Sequence, residues 1–304
     1  MAGRQYVRMS VRWAFNFRAW SPSAEDWILC NQCVQPEETQ RISKFVFKKD
    51  AKSSMIGRLM IRKVVSEYLN IPYKEVTLAR SEKGKPYLTG RTDVDHFSFN
   101  VSHQGDYAVL AAQANCNLGA DVMKLETRTD VASFFQTMRR QFTAEEWQLI
   151  RSPTTDKEQL KLFFRLWCLK ESYVKALGVG IGFEVGRLNF HLPSLNIDSS
   201  VITDTTLKID GTAMSDWSFE EHFLDNHSIA VAVNNTCKTP SEKLVNEDMN
   251  EELLSTAGEF KVLDYKDIMK NVQPLSEPDM SFWENFHPKA EDPSQWKSKQ
   301  AQKS

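Results

Sequence analysis

The sequence predicts an α+β protein of two pseudo-repeated halves, each a small, mainly antiparallel sheet packed on one long helix, with the active site in the seam between them. Three observations lead there. Stretches 50–70 and 163–177 carry apolar residues at helical spacing and lie far apart in the chain. Each is followed by a strand pair around a polar turn, 97–101 with 107–111 and 217–220 with 228–233. The chain has 304 residues and 41% hydrophobic content, enough for two cores of ordinary size.

Taken in order, Val11, Trp13, Phe15 and Phe17 alternate as in a half-buried strand. Ser23, with Asp26 three residues on, starts a helix. Pro36 opens another, with Glu37 and Glu38 in the first turn. Asp50 caps the long helix to about Asn70; Met55, Ile56, Leu59, Met60, Val64, Tyr68 and Leu69 make it an amphipathic helix packed on a sheet. Residues 76–79 read as a short strand and 81–86 as a turn. The second half runs through a helix at 163–177, a glycine-marked exit, a strand near 187–191 and a hairpin turning at 224–227. Expected boundaries are 1–115, 116–236 and 237–304. The last part is an acidic linker over 239–258, an extension with a strand at 260–263, a helical turn at 267–272 and an aromatic latch of Phe282, Trp283 and Phe286, and then a disordered tail.

Composition narrows the function. No apolar run approaches the roughly 18 residues of a spanning helix. Five cysteines without a secretory leader suit a reducing cytosol. Arg4, Arg8, Arg12 and Arg18 without an acid among the first 24 residues imitate a transit peptide, but the strand alternation there argues against one. Residues 1–92 carry 17 Lys and Arg against 8 Asp and Glu, while the whole chain stands at −2. A basic half facing an acidic one suits a polyanion. No basic helical stripe or nucleic-acid motif is present, so a small, highly phosphorylated ligand is the better candidate.

The chemistry concentrates around Trp167–Gly178. Glu171 and Lys175 lie one turn apart on one face of an apolar helix. That is also the spacing of a surface ion pair, but the apolar residues around it favour a task. Upstream, Gly119-Ala120-Asp121-Val122-Met123 sets a carboxylate after an apolar run, with a glycine that lets the backbone approach a ligand. Two carboxylates and a lysine suit Mg²⁺ on a pyrophosphate.

Asn100-Val101-Ser102-His103, then Gly119-Ala120-Asp121-Val122, then Trp167 to Gly178, with Lys83-Gly84-Lys85-Pro86, resemble in order and spacing the motifs of Sfp-type 4′-phosphopantetheinyl transferases. The C-terminal extension is like that of animal members. The resemblance covers about residues 11–290. It implies transfer of phosphopantetheine from coenzyme A to a serine of an apo acyl-carrier or peptidyl-carrier domain, releasing adenosine 3′,5′-bisphosphate. It also implies a cytosolic monomer, with acceptors in fatty acid synthesis and, for the animal type, an aminoadipate-reducing enzyme.

By the same resemblance Asp121 and Glu171 bind Mg²⁺, Lys175 stabilises the phosphate, and Glu171 accepts the serine proton, directly or through a metal-held water. Asn100, Val101, Ser102 and His103 contact coenzyme A, Ser102 and His103 from the turn feeding the final hairpin of the first half, unless these two only shape that turn. The turn Ser81-Glu82-Lys83-Gly84-Lys85-Pro86 takes the nucleotide end, with Arg41 and Arg80 at its 3′-phosphate. Many bacterial members have a glutamate where this chain has Met123, so two protein carboxylates and water, with Gln104 as the candidate to hold it, are expected around the ion. Residues 134–142 are either a landing surface for an acidic carrier helix or a core-facing helix with two solvated arginines.

Cys30 and Cys33 lack a second pair and read as buried helix thiols. Gly178, Gly180 and Gly182 follow a helix and so read as its exit instead of a phosphate loop. Two rivals remain: a metal-dependent hydrolase of coenzyme A or a nucleotide pyrophosphate, and a non-catalytic module that only holds carrier domains.

Overall fold

A computed structural model describes residues 10–90, 97–127, 129–196, 200–234 and 258–294. The linker at 239–257, Cys237, Arg4, Arg8 and the tail from 295 therefore lie outside the described residues. The fold is mixed α+β with small sheets. A four-stranded sheet has the order β12 (Lys261–Val262), β1 (Ser10–Asn16), β5 (Tyr107–Ala114) and β4 (Phe97–Gln104), antiparallel except where β12 joins β1. A three-stranded antiparallel sheet holds β10 (Trp217–Leu224), β11 (His227–Asn234) and β6 (Asn117–Lys124). Hairpin β2 (Leu78–Arg80) with β3 (Pro86–Leu88), and a small sheet of β7 (Leu188–His191), β8 (Thr206–Ile209) and β9 (Thr212–Ala213), complete it.

Strand alternation assigns the core. Val11, Trp13 and Phe15 of β1, with Leu110 and Ala112 of β5, turn to α3 (Lys48–Tyr68). Ala14, Val109 and Ala111 turn the other way and meet Leu118, Ala120 and Val122 of β6 and Ile229 and Val231 of β11. Hence one apolar layer lies between the sheets, and α6 (Asp156–Leu177) packs against β6 and β11 on the far side.

The seam is closed by polar side chains. Ser98, Asn100 and Gln104 of β4 accept from the backbone N–H groups of Leu118, Ala120 and Lys124 at 3.3, 2.9 and 2.6 Å. These buried donors of an edge strand would otherwise be orphaned, which explains polar residues at every second position of β4. The Oε1 of Gln104 is thus committed to the seam.

Several expectations are refined. Ser23 and Asp26 do form a capping box on α1 (Ala24–Gln32), and α2 (Pro36–Ser43) starts at its proline. Both cysteines of the CxxC pair are fully buried in or beside α1, whose Trp27 stacks on Phe282 and Phe286 of α8 (Met280–Phe286). The long helix begins at Lys48, not Asp50, and Phe47 supplies no side-chain cap. Nor is it amphipathic in the expected sense: Lys52, Arg58, Arg62 and Lys63 are buried too, because α1, α2 and α7 (Tyr265–Met269) cover the face away from the sheet. α6 starts about two turns earlier than its apolar spacing indicated, at Asp156, where Thr155 caps Glu158 N–H. After Gly178, in the left-handed region at φ 68°, the chain passes through a 3-10 turn at Gly180–Gly182 before any strand. Two short helices, α4 (Val131–Thr137) and α5 (Ala144–Ile150), fill the interval before α6.

Candidate active site

Asp121 and Gly119 share the face of β6 that meets α6, since β-strand side chains alternate. A Cβ on Gly119 would lie 2.2 Å from Ser172 O and 2.3 Å from Ala176 N. The glycine therefore lets the strand press on the helix backbone, not on a ligand as the sequence suggested. Two residues on, that close approach sets Asp121 beside Lys175: Nζ donates to Asp121 Oδ1 at 2.5 Å and to Ser102 Oγ at 2.8 Å, and Ser102 Oγ donates to the same Oδ1 at 2.9 Å. Lys175 pairs with Asp121 and not with Glu171 one turn before it, so the ordinary surface ion pair does not form.

Glu171 stands half-buried at the cleft wall and, among the described residues, takes no hydrogen bond. Burial first, then the charge of Asp121, raises its proton affinity against the pull of Lys175. Asp121 Oδ2 is buried without a hydrogen-bond partner. An orphaned carboxylate oxygen next to a second repelling carboxylate is the donor set that a hard divalent cation satisfies. Met123 occupies the position two residues on, and among the described residues no three metal-ligating side chains converge.

The cleft in front of these groups encloses about 640 Å³ and is lined by six basic side chains, Arg41, Arg58, Arg80, Lys83, Lys85 and Lys175, against one acid, Glu171. A highly phosphorylated ligand fits that balance. Glu38 organises one rim. Arg80 clasps it bidentately at 2.9 Å on both oxygens, Arg58 lies 3.6 Å away and Arg41 3.7 Å away. The three cations hold the Glu38 carboxyl below its ordinary range despite burial. Arg41 also donates to Ser54 Oγ at 3.0 Å.

Glu38, Arg58 and the small residues Ser53, Ser54 and Gly57 were missed from the sequence. Their signal is an arginine among small residues at i, i+3 and i+4 (Ser54, Gly57, Arg58), facing away from the apolar positions of the same helix.

The basic turn crosses the seam. Lys83 Nζ donates to Val179 O at 2.8 Å and Lys85 Nζ to Lys175 O at 3.2 Å, so both meet the carbonyl end of α6, where cations complement the dipole. Gly84 and Pro86 line the cleft. Ser81 shapes the turn, its Oγ accepting from Lys85 N, and Ser81 and Glu82 lie outside the cleft lining. Asn100, Val101 and His103 line the cleft, whereas Ser102 is buried behind it. All four lie within β4; the turn itself is Gly105-Asp106. His103 lines the cleft, and desolvation among the cleft walls, followed by the charges of Lys175, Arg41 and Arg58, holds its imidazole below the ordinary value.

Along 134–142, Phe135 and Phe142 are core, Phe134 and Met138 are half-buried, and Arg139 and Arg140 are exposed. Phe134, Met138, Met123, Phe163, Phe164 and Trp167 line a shallow apolar depression, and Trp167 also lines the cleft. No described helix is long and apolar enough to cross a membrane.

Two family models match the chain: "4′-phosphopantetheinyl transferase, N-terminal" over residues 18–115 and "4′-phosphopantetheinyl transferase superfamily" over 117–232. The chain is 44% identical over 282 residues to a Homo sapiens L-aminoadipate-semialdehyde dehydrogenase-phosphopantetheinyl transferase, covering 91% of this chain and 90% of that one. The Xenopus laevis protein of the same name is 42% identical, over 95% and 96% of the two chains. A Thraustochytrium phosphopantetheinyl transferase is 37% identical, over 73% and 77%.

Proposed function

The chain belongs to the 4′-phosphopantetheinyl transferase superfamily and is a phosphopantetheinyl transferase, and from that premise we propose that it moves the arm of coenzyme A onto a serine of an apo carrier domain. The hydrolase alternative finds no support among the matched families and relatives. In the finer reading it is a Mg²⁺-dependent holo-[acyl-carrier-protein] synthase, a cytosolic monomer whose acceptors include carrier domains of fatty acid synthesis and of an aminoadipate-reducing enzyme.

The observation that carries the reading is the orphaned Asp121 Oδ2 beside the unpartnered Glu171, at the base of a basic cleft. Asp121 and Glu171 would hold the divalent ion, which supplies Lewis-acid polarisation of the pyrophosphate oxygens. Lys175 brings a positive charge to the phosphate that departs or transfers. Glu171, half-buried at the cleft wall and without a hydrogen bond among the described residues, is the candidate acceptor for the proton of the carrier serine. His103, kept neutral first by desolvation and then by its cationic neighbours, can donate its one ring N–H to a phosphate oxygen. The arginines around Glu38 take the 3′-phosphate end. The acidic helix of a carrier meets Arg139 and Arg140 while its apolar residues enter the depression at Phe134 and Met138.

Incubation with coenzyme A and an apo carrier, with and without Mg²⁺, tests this by intact mass. A phosphopantetheine gain on the carrier serine that requires the metal and is lost in Asp121→Ala and Glu171→Ala is expected. Equal yield from wild type and both variants overturns the assignment, and phosphopantetheine released without carrier would mean hydrolysis.

A further inference from the structure

The ends of α2 and α3 face each other across the Phe45 loop; the backbone N–H groups of Lys44 and Phe45 turn back on Arg41 O and Ile42 O at the end of α2, while the start of α3 has no side-chain cap. The first-turn donors of α3 have no side-chain cap from Phe47. They are met from the C-terminal extension: Lys48 N donates to Ala290 O at 2.9 Å and Lys49 N to Glu291 O at 3.1 Å. The Glu291 carboxylate pairs with Lys52 at 2.7 Å, so a negative charge also stands at the positive end of that helix. At the other end of the loop, Lys289 Nζ donates to Ser43 O at 2.7 Å and Phe45 O at 2.6 Å, meeting the last carbonyl of α2 and one of the loop that follows it.

Both capped ends carry the cleft's arginine rim. Arg41 lies in the last turn of α2, its guanidinium 5.5 Å over the Phe45 ring and bonded to Ser54 of α3. One residue of the extension therefore grips the loop on which Arg41 leans, and the next two fix the start of the helix that holds Ser54 and Arg58.

We propose that Lys289, with the carbonyls of Ala290 and Glu291, is a positioning device for the coenzyme A site: a cap shared by two helix ends that sets the arginine rim and so the preference for a 3′-phosphorylated nucleotide. The hydrogen-bond partners of Lys289, Ser43, Phe45 and Phe286, lie outside the cleft lining, and the lysine acts through Phe45 and Arg41. This inference rests on the reading that the rim binds the 3′-phosphate.

Transfer kinetics with coenzyme A and with 3′-dephospho-coenzyme A test it in the full-length chain. Lys289→Met is expected to raise KM for coenzyme A about tenfold, the equivalent of ~1.4 kcal/mol, to leave kcat within about twofold, a change too small to be a loss of transition-state contacts, and to leave KM for the dephospho substrate unchanged. Arg41→Ala serves as the reference and should narrow the preference between the two substrates by at least as much. Failure of Arg41→Ala to narrow it sinks the reading of the rim itself. A narrowing in Arg41→Ala but none in folded Lys289→Met sinks the cap proposal, as does an equal rise of KM for both substrates, which would mean that the lysine only stabilises the fold. Should Lys289→Met not fold, Lys289→Gln keeps a donor for one carbonyl and should give an intermediate preference; a preference equal to wild type again refutes the proposal.

Discussion

Replacing Gly119 by alanine probes the contact on which the site depends. The new Cβ would sit 2.2 Å from Ser172 O, 2.3 Å from Ala176 N and 2.8 Å from Lys175 C, all backbone atoms of α6 that cannot rotate away. Restoring ordinary contact near 3.5 Å requires strand and helix to part by about 1.3 Å, and overpacking of this kind costs about 1–3 kcal/mol. Asp121 moves with the strand, Glu171 and Lys175 with the helix. The 2.5 Å contact between Lys175 and Asp121 then stretches beyond hydrogen-bond range. A misplacement of about 1 Å in such a constellation lowers turnover on the order of 100-fold. The assay is carrier modification by intact mass at saturating coenzyme A, paired with a thermal melt. Wild-type kcat and melting temperature in Gly119→Ala would refute the packing argument. Near-normal kcat with a raised KM for coenzyme A would instead restore the simpler idea that the glycine makes room for ligand.

Three further outcomes follow from individual contacts. Lys170 is fully buried, pairs with Glu146 at 2.8 Å and donates to Leu188 O at 2.5 Å, so Lys170→Met should destabilise by about 3–5 kcal/mol by stranding the Glu146 charge; a melt of the double variant with Glu146→Gln should recover part of that. Asn100→Leu removes the acceptor for Ala120 N–H and should cost about 1–3 kcal/mol in denaturant unfolding, with both kcat and KM affected because β6 carries Asp121. His227 is buried and its Nε2 accepts from Asp106 N at 3.1 Å, which only the neutral ring can do. Burial holds its folded pKa below the ordinary value, Lys124 assisting while Asp106, Asp225 and Glu126 oppose. Its contribution is therefore complete above the unfolded value of about 6.5 and is lost as pH falls from there toward the lower folded value. Unfolding of wild type should show that slope and His227→Leu should flatten it; equal slopes would remove His227 as its source.

What could be seen in the chain was local and periodic. The capping box at Ser23, the proline start of α2, the hairpin runs around 97–111 and 217–233, and the Glu171–Lys175 spacing depend on neighbours within a few residues. What could not be seen depends on remote partners. The start of α3 is set by carbonyls some 240 positions later, so Asp50 looked like the cap. The buried cations on that helix looked like a solvated face because their partners, such as Lys270 O for Lys63 and Tyr73 O for Arg62, arrive from other elements. Gly119 announced a close approach truthfully, but not to what. Asn100 resembled a ligand contact, and like Ser98 and Gln104 of the same strand it accepts from backbone N–H groups of another sheet.

That division has a chemical consequence, because the site exists only as long as separate parts of the chain are locked together. Asp121 belongs to one sheet and Ser102 to the other, and the bond between them spans the seam. The same seam is bridged by Asn100 to Ala120 N, by Lys83 to Val179 O and by Lys85 to Lys175 O. The carboxylates proposed to hold the metal and the cations proposed to hold the nucleotide are therefore not independent modules. A ligand that draws Lys83 and Lys85 onto its phosphates removes two bonds from the end of α6, the helix bearing Glu171 and Lys175. Lys175 is itself shared between Asp121 and Ser102, and a cation on Asp121 would release it toward the substrate. Nucleotide binding and metal binding are thus coupled through α6, and each should tighten in the presence of the other by the same factor, as linkage requires.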